Sequence, residues 1–264
     1  MQKRTKIGVL SLMMGVLILL GPSFGVGNST LMGVLIASAL YFGLYWILEF
    51  NVIGLRLIFV FLLPIIFSFL FVQRSLALWG DRGVGFPVAV LFSSMVYILI
   101  LTANILNVSS IKKIPLLQVA QTSLYFFSTI SIFLMFDAVQ GLETGTILDT
   151  LIVAVAGFII IYQLIWFIVE SRSDIFYITL LINLILVLIY FTLSFFPIPY
   201  MLYNLILASV FYVITGLFMH SVKKSLSRSV FWEYVLVIVV IATITIASLV
   251  WGSFYSYIFS TILY

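Results

Sequence analysis

A stripe of polar side chains on an otherwise apolar segment carries the most information about function. The segment covers residues 115–136, and its polar side chains recur at helical spacing: Gln118, Gln121, Thr122, Tyr125 and Thr129. At about 100° per residue, these positions fall within an arc of roughly 100°. Amide groups in contact with lipid would lack hydrogen-bond partners, so the stripe is predicted to face protein or water.

Polar residues on neighbouring segments extend this stripe into a candidate polar cluster. Gln163 lies at a similar depth on the next segment, which runs antiparallel. Gln121 and Gln163 are therefore expected to face each other or to share a water. The members of the candidate cluster are Asn104, Gln118, Gln121, Thr122, Tyr125, Gln163 and Asn183.

Two interpretations of the cluster remain open. In the first, which we favour, the amides join neighbouring helices by hydrogen bonds, each contributing about 0.6 kcal/mol on average. In the second, the cluster lines a polar pocket or path that opens to the cytoplasm. The cluster contains no charged residue, so a neutral or lipid-like ligand suits such a pocket better than an ion does.

A second candidate site lies in the connection that follows the third apolar segment. Arg74 and Arg82 are predicted to lie on the outer side of the membrane, where an arginine pair would bind an anionic head group or a phosphate. The alternative is a solvated, glycine-rich turn. A weaker hypothesis is an enzyme that acts on a lipid at the outer face through these arginines and Asp81.

The sequence offers no convincing catalytic or metal-binding constellation. Its lack of cysteine excludes a thiol nucleophile, a disulfide and a Cys/His zinc site, and its single histidine is His220. Glu49 and Glu233 are predicted at matching depth, but each is more simply a solvated charge at a helix end. We therefore expect no enzyme activity, no metal and no cofactor. No long basic run indicates nucleic-acid binding.

The composition indicates an integral membrane protein. Of the 264 residues, 64% are hydrophobic and 8% are charged, whereas a soluble domain has about 25% charged residues. Continuous apolar runs of about 20 residues indicate helices, not the short alternating strands of a barrel. The predicted fold is all-α, a single polytopic transmembrane bundle without a soluble domain. Its nine predicted spans are 6–22, 30–49, 56–72, 87–106, 115–136, 147–169, 175–196, 199–219 and 232–252.

The distribution of basic residues predicts the orientation. With the N-terminus in the cytoplasm, ten of the 12 Lys and Arg residues fall on the cytoplasmic side. Only Arg74 and Arg82 then lie outside, which is a strong positive-inside bias. The sequence thus predicts a multi-pass protein of the cell membrane with a cytoplasmic N-terminus and an external C-terminus.

Three segments allow more than one interpretation. The first span, with its basic residues in 1–6, has a cleaved signal peptide as its alternative. Residues 220–234 form either a short interfacial helix or, as we favour, a basic loop. Residues 252–264 are too short to span the membrane, so they either extend a tilted ninth helix or lie in the outer interface.

These observations favour a non-enzymatic subunit or scaffold of a membrane assembly. The alternative is a small transporter or lipid-handling permease that uses a polar pocket in the cytoplasmic half of spans 4–7. Nine helices do not divide into two equal halves, so a simple inverted-repeat transporter is not indicated. The expected partners are membrane lipids and, for an assembly, other membrane proteins; the sequence identifies no small-molecule ligand.

Overall fold

A computed structural model describes residues 3–21, 29–48, 55–79, 85–109, 116–142, 144–169, 172–196 and 198–262. These residues form nine α-helices and no strand, which confirms the all-α, polytopic bundle. The helices are α1 (Lys3–Leu20), α2 (Ser29–Ile47), α3 (Leu55–Trp79), α4 (Phe86–Ser109), α5 (Leu117–Gln140), α6 (Thr146–Trp166), α7 (Arg172–Leu193), α8 (Tyr200–Val222) and α9 (Arg228–Ile262).

Eight of these helices, α2 to α9, are long and apolar enough to cross a membrane. The protein is therefore a multi-pass membrane protein. The remaining helix, α1, begins with Lys3, Arg4 and Lys6, and its role as a ninth span stays a prediction. It packs against α2 and α4. The ammonium group of Lys6 lies 5.2 Å from the ring centre of Trp46, so the start of α1 lies beside the end of α2.

Two helices extend furthest beyond their predicted ends. Helix α3 continues to Trp79, past the predicted end at residue 72, so the expected loop from residue 73 is helical in its first part. The polar side chains there are accommodated: the Ser75 hydroxyl donates back to the Phe71 carbonyl at 2.8 Å, and Gln73 donates to the Thr30 hydroxyl at 3.2 Å. Helix α9 continues to Ile262, so residues 253–262 extend the ninth helix and do not form a separate segment.

The basic loop predicted at residues 220–234 is confined to residues 223–227, which contain no separate interfacial helix, and the rest of the segment belongs to α8 and α9. Helix α8 ends at Val222, and α9 begins at Arg228. Lys224 in this connection has a left-handed backbone, with φ of 51°. This conformation reverses the chain directly after a helix and is more often adopted by glycine.

Helix α5 lies at the centre of the bundle, where it packs against α3, α4, α6 and α8. In its span 61% of the residues are buried, the highest share among the eight helices. Aromatic side chains fill its contacts: Phe127 meets Phe67 of α3 edge to face at 5.4 Å, and Phe136 stacks on Tyr190 of α7 at 5.8 Å. The polar stripe predicted from the sequence lies on this central helix.

Candidate functional site

The buried amides of the predicted cluster join pairs of helices. Gln121 Nε2 donates to the carbonyl oxygen of Phe167, just past the end of α6, at 2.7 Å. Gln163 Nε2 donates to the Phe59 carbonyl of α3 at 2.8 Å. Asn183 Nδ2 of α7 donates to the Ala154 carbonyl of α6, also at 2.8 Å. Each amide thus satisfies its donor on the backbone of a neighbouring helix.

Gln121 and Gln163 do not bond each other directly, as one of the two expected arrangements required: Gln121 bonds a carbonyl at the end of α6, and Gln163 bonds a carbonyl of α3. The other arrangement, a shared water, stays a prediction. The physical reason lies in the end of α6: the last carbonyls of a helix have no donor within the helix, so Phe167 offers Gln121 a free acceptor. Both glutamines are buried, as a polar group in a membrane requires.

Other members of the predicted cluster do not converge on one pocket. Gln118 is exposed, and Thr122 donates to the Gln118 carbonyl of its own helix at 3.0 Å. Asn183 lies over Gly157, where an added Cβ would be 2.8 Å from its Oδ1. Asn104 on α4 has a buried Oδ1 without a protein partner and bonds no other member of the cluster. The predicted cluster therefore does not form a single site.

Thr122 and Tyr125 lie elsewhere, in a pocket that sequence analysis did not find. This pocket, of about 190 Å³, lies between α5, the end of α8 and the start of α9, on the predicted cytoplasmic side. We call it the α5–α8–α9 pocket. Its lining residues are Thr122, Tyr125, Tyr212, Gly216, Met219, His220, Lys223, Glu233 and Tyr234.

Tyrosines form the inner wall of this pocket. The Tyr125 hydroxyl donates to the backbone carbonyl of Tyr212, and the two rings stack at 5.1 Å. The Tyr234 ring lies 5.5 Å from the Tyr212 ring. Gly216 makes the arrangement fit, because an added Cβ would lie 2.6 Å from the Tyr125 hydroxyl and would also overlap the Tyr234 hydroxyl.

Ionisable side chains line the more exposed part of the pocket. His220 Nδ1 lies 3.0 Å from Ser225 Oγ in the connection to α9. Partial removal from water lowers the pKa of the Lys223 ammonium below its ordinary value. In the sequence, His220 and Glu233 both fall in the segment 220–234, which was predicted to be a basic loop. The one available signal was that both lie beside the same short connection.

The predicted outer end of the bundle contains a second polar site, the Arg74–Asp137–Asn204 junction. Arg74 Nε lies 3.0 Å from Asp137 Oδ2, and Asn204 Nδ2 donates to Asp137 Oδ1 at 3.4 Å. Arg74 thus has an anionic partner within the chain. Arg82 and Asp81 lie outside the described residues, so binding of an external anion by Arg74 and Arg82 stays a prediction. Glu49 also lies outside them.

A larger cavity lies between α2, α3 and α6 and has a different character. It measures about 570 Å³, and apolar side chains dominate its wall, including Phe42, Phe69 and Ile159. Its only hydroxyl groups belong to Ser38, which donates to the Val34 carbonyl of its own helix, and to Tyr41. The cavity offers no polar site for a hydrophilic substrate. Within the described part of the chain, no group of three His, Asp or Glu side chains could hold a metal ion.

Comparison with known proteins gives one match. The family model described as DUF5656, a protein of unknown function, matches residues 60–248, which run from Val60 in α3 to Ser248 in α9. No curated protein and no solved structure matches the chain.

Proposed function

We propose, from the premise that the chain belongs to the DUF5656 family of unknown function, that it is a non-enzymatic subunit or scaffold of a membrane assembly. The observation that carries this proposal is the packing of α9. Only 6% of the residues in the span of α9 are buried, compared with at least 33% in every other span. Its main neighbour is α8.

The contact of α9 with the bundle is a narrow stripe. Apart from Val235, its less exposed residues recur every three or four positions, at Val230, Tyr234, Val237, Ile241, Thr245 and Ser248. Val239 and Ile246 project from the opposite side and are 56% and 61% exposed. A stripe this narrow is typical of one helix pairing with another. The face of α9 that is turned away from the bundle is therefore left for an apolar transmembrane helix of a partner subunit.

The interior of the bundle supports a structural role. The amides of Gln121, Gln163 and Asn183 donate to backbone carbonyls and so hold helices together. The cavity of about 570 Å³ is apolar, so it offers no hydrophilic path across the membrane. These features support an assembly subunit over a transporter of polar solutes. The second candidate, a lipid-handling protein, is favoured by the α5–α8–α9 pocket.

We also propose that the protein resides in the cell membrane with its N-terminus in the cytoplasm and its C-terminus outside. The distribution of basic residues supports this orientation. The contact of Lys6 with Trp46 is consistent with it, because both residue types favour the membrane interface and lie at the same end of the bundle.

Site-specific photo-crosslinking in native membranes tests the subunit role. A photoreactive residue would replace Val239 or Ile246, on the face of α9 that is turned away from the bundle. As matched controls it would replace Leu181 or Leu188 of α7, which have the same spacing and are 59% and 56% exposed. We expect discrete protein adducts from α9 and lipid adducts alone from α7. Lipid adducts alone at all four positions would refute the proposal.

A further inference from the structure

We propose that the α5–α8–α9 pocket binds a small zwitterion in which an ammonium group is joined to an anionic oxygen group, as in phosphoethanolamine. This binding activity goes beyond the subunit role and does not depend on it. The same chemistry occurs in the head group of a membrane lipid and in the free, soluble zwitterion. The experiment below separates the two sources.

The pocket has the size of such a group. Its volume of about 190 Å³ equals that of roughly six water molecules at about 30 Å³ each. This space holds a phosphate and a short amine but not the tails of a lipid. A bound lipid would therefore insert its head group and leave its acyl chains in the bilayer.

The charges of the pocket match a zwitterion. Lys223 at the end of α8 and Glu233 near the start of α9 line the same space. Among the described residues, neither forms an ion pair within the chain. A zwitterion would place its anionic oxygens at the Lys223 ammonium and its own ammonium at the Glu233 carboxylate. A ligand with a single charge would make a charge-assisted contact with only one of these two side chains.

The aromatic wall favours the ammonium end of the ligand. Tyr212 and Tyr234, with ring centres 5.5 Å apart, line the pocket together with Glu233. Tyrosine faces attract cations through the ring quadrupole, and the attraction is stronger where water is partly excluded. Tyr234, which also lines the pocket, carries a hydroxyl, and a hydroxyl can donate to an anionic oxygen.

The depth of the pocket suits a head group. Lys223 follows Val222, the last residue of the α8 span, and Glu233 lies in the second turn of α9. Both charges thus lie where a transmembrane helix meets the head-group layer. A lipid head group and a solute from the adjoining aqueous phase can both reach this position.

Lipid retention by the full-length protein tests the proposal. The protein would be reconstituted with equal amounts of phosphatidylethanolamine and phosphatidylglycerol, and the lipids retained after mild extraction would be measured by native mass spectrometry. Free phosphoethanolamine would be titrated into lipid-depleted protein by calorimetry. Lys223→Gln and Glu233→Gln remove the two charges. Lys224→Gln, which removes a neighbouring charge that does not line the pocket, is the matched control.

We expect wild type and Lys224→Gln to select the zwitterion, and the other two variants to lose the preference by about tenfold, the effect of one charge-assisted contact. Selective lipid retention without binding of free phosphoethanolamine identifies a lipid head group as the ligand. Binding of free phosphoethanolamine without lipid selection identifies the soluble zwitterion, and both together identify the shared group. Wild type that neither selects the lipid nor binds free phosphoethanolamine, or equal behaviour of all four proteins in both assays, would overturn the proposal.

Discussion

Arg74 of α3 and Asp137 of α5 form an ion pair, with 3.0 Å between Arg74 Nε and Asp137 Oδ2. Asn204 of α8 donates to the other carboxylate oxygen at 3.4 Å. One carboxylate thus connects three helices at the end of the bundle that is predicted to lie outside. Sequence analysis assigned Arg74 to a loop, where its partner would have been an external anion.

The ion pair is expected to contribute modestly to stability. Arg74 is 42% exposed, so solvent screening limits the coupling of the two side chains to about 1 kcal/mol. A double-mutant cycle of Arg74→Gln and Asp137→Asn, followed by unfolding in detergent, measures this coupling. The double variant should lose less free energy of unfolding than the two single variants together. Strict additivity would show that the pair contributes nothing.

The two buried glutamines are expected to act independently. Gln121→Leu and Gln163→Leu should each lower the free energy of unfolding by about 1 kcal/mol, because each removes one hydrogen bond between helices. The acceptors are separate carbonyls, so the losses should add in the double variant. Gln118→Leu, at an exposed position of α5, is the control and should change stability little. A strong coupling between Gln121 and Gln163 would contradict the observed partners.

Replacing Gly216 by a larger residue is expected to lower the stability of the protein. In Gly216→Ala the new methyl group would overlap the hydroxyls of Tyr125 and Tyr234, at a cost of about 1–3 kcal/mol of folding free energy. Tyr234→Phe in the same chain should restore part of the loss. Gly8→Ala is the matched control, since its added Cβ meets no atom within 4 Å. Thermal unfolding of the four proteins checks this prediction, and an unchanged midpoint for Gly216→Ala would contradict it.

The orientation predicts which connections face the cytoplasm. Reporter fusions at Lys112, between α4 and α5, and at Glu143, between α5 and α6, should report opposite sides of the membrane. The fusion at Lys112 should be cytoplasmic, in agreement with the distribution of basic residues. The two fusion sites lie outside the described residues, so the test depends only on the central helix α5 crossing the membrane. Equal signals from both sites would exclude the proposed topology.

The order and number of the helices were predictable because each apolar run is continuous and charges separate most of them. Helix ends were less predictable. Gln73 and Arg74 suggested a loop, yet α3 continues through them because Thr30 and Asp137 supply partners from other helices. A polar residue ends a membrane helix only when nothing nearby can pair with it, and sequence alone does not identify such partners.

The candidate site was predictable only in part. The spacing of α5 correctly marked Gln121 and Tyr125 as buried polar side chains. Their acceptors, the carbonyls of Phe167 and Tyr212, belong to apolar or aromatic residues that a search for polar partners does not select. The α5–α8–α9 pocket was missed because Lys223 and Glu233 were assigned to a basic loop, and the sequence does not show that this segment packs against Tyr125 of α5.

The use of backbone carbonyls as acceptors has a consequence for evolution. Every residue type carries a carbonyl, so replacing Phe59, Ala154 or Phe167 by another residue leaves the acceptor in place. Selection on each of these contacts thus acts on the amide position and hardly on the opposite one. Family members should keep a polar residue at positions 121, 163 and 183 without a matched change at the facing positions. Methods that infer contacts from correlated substitutions will then overlook the hydrogen bonds that hold this bundle together.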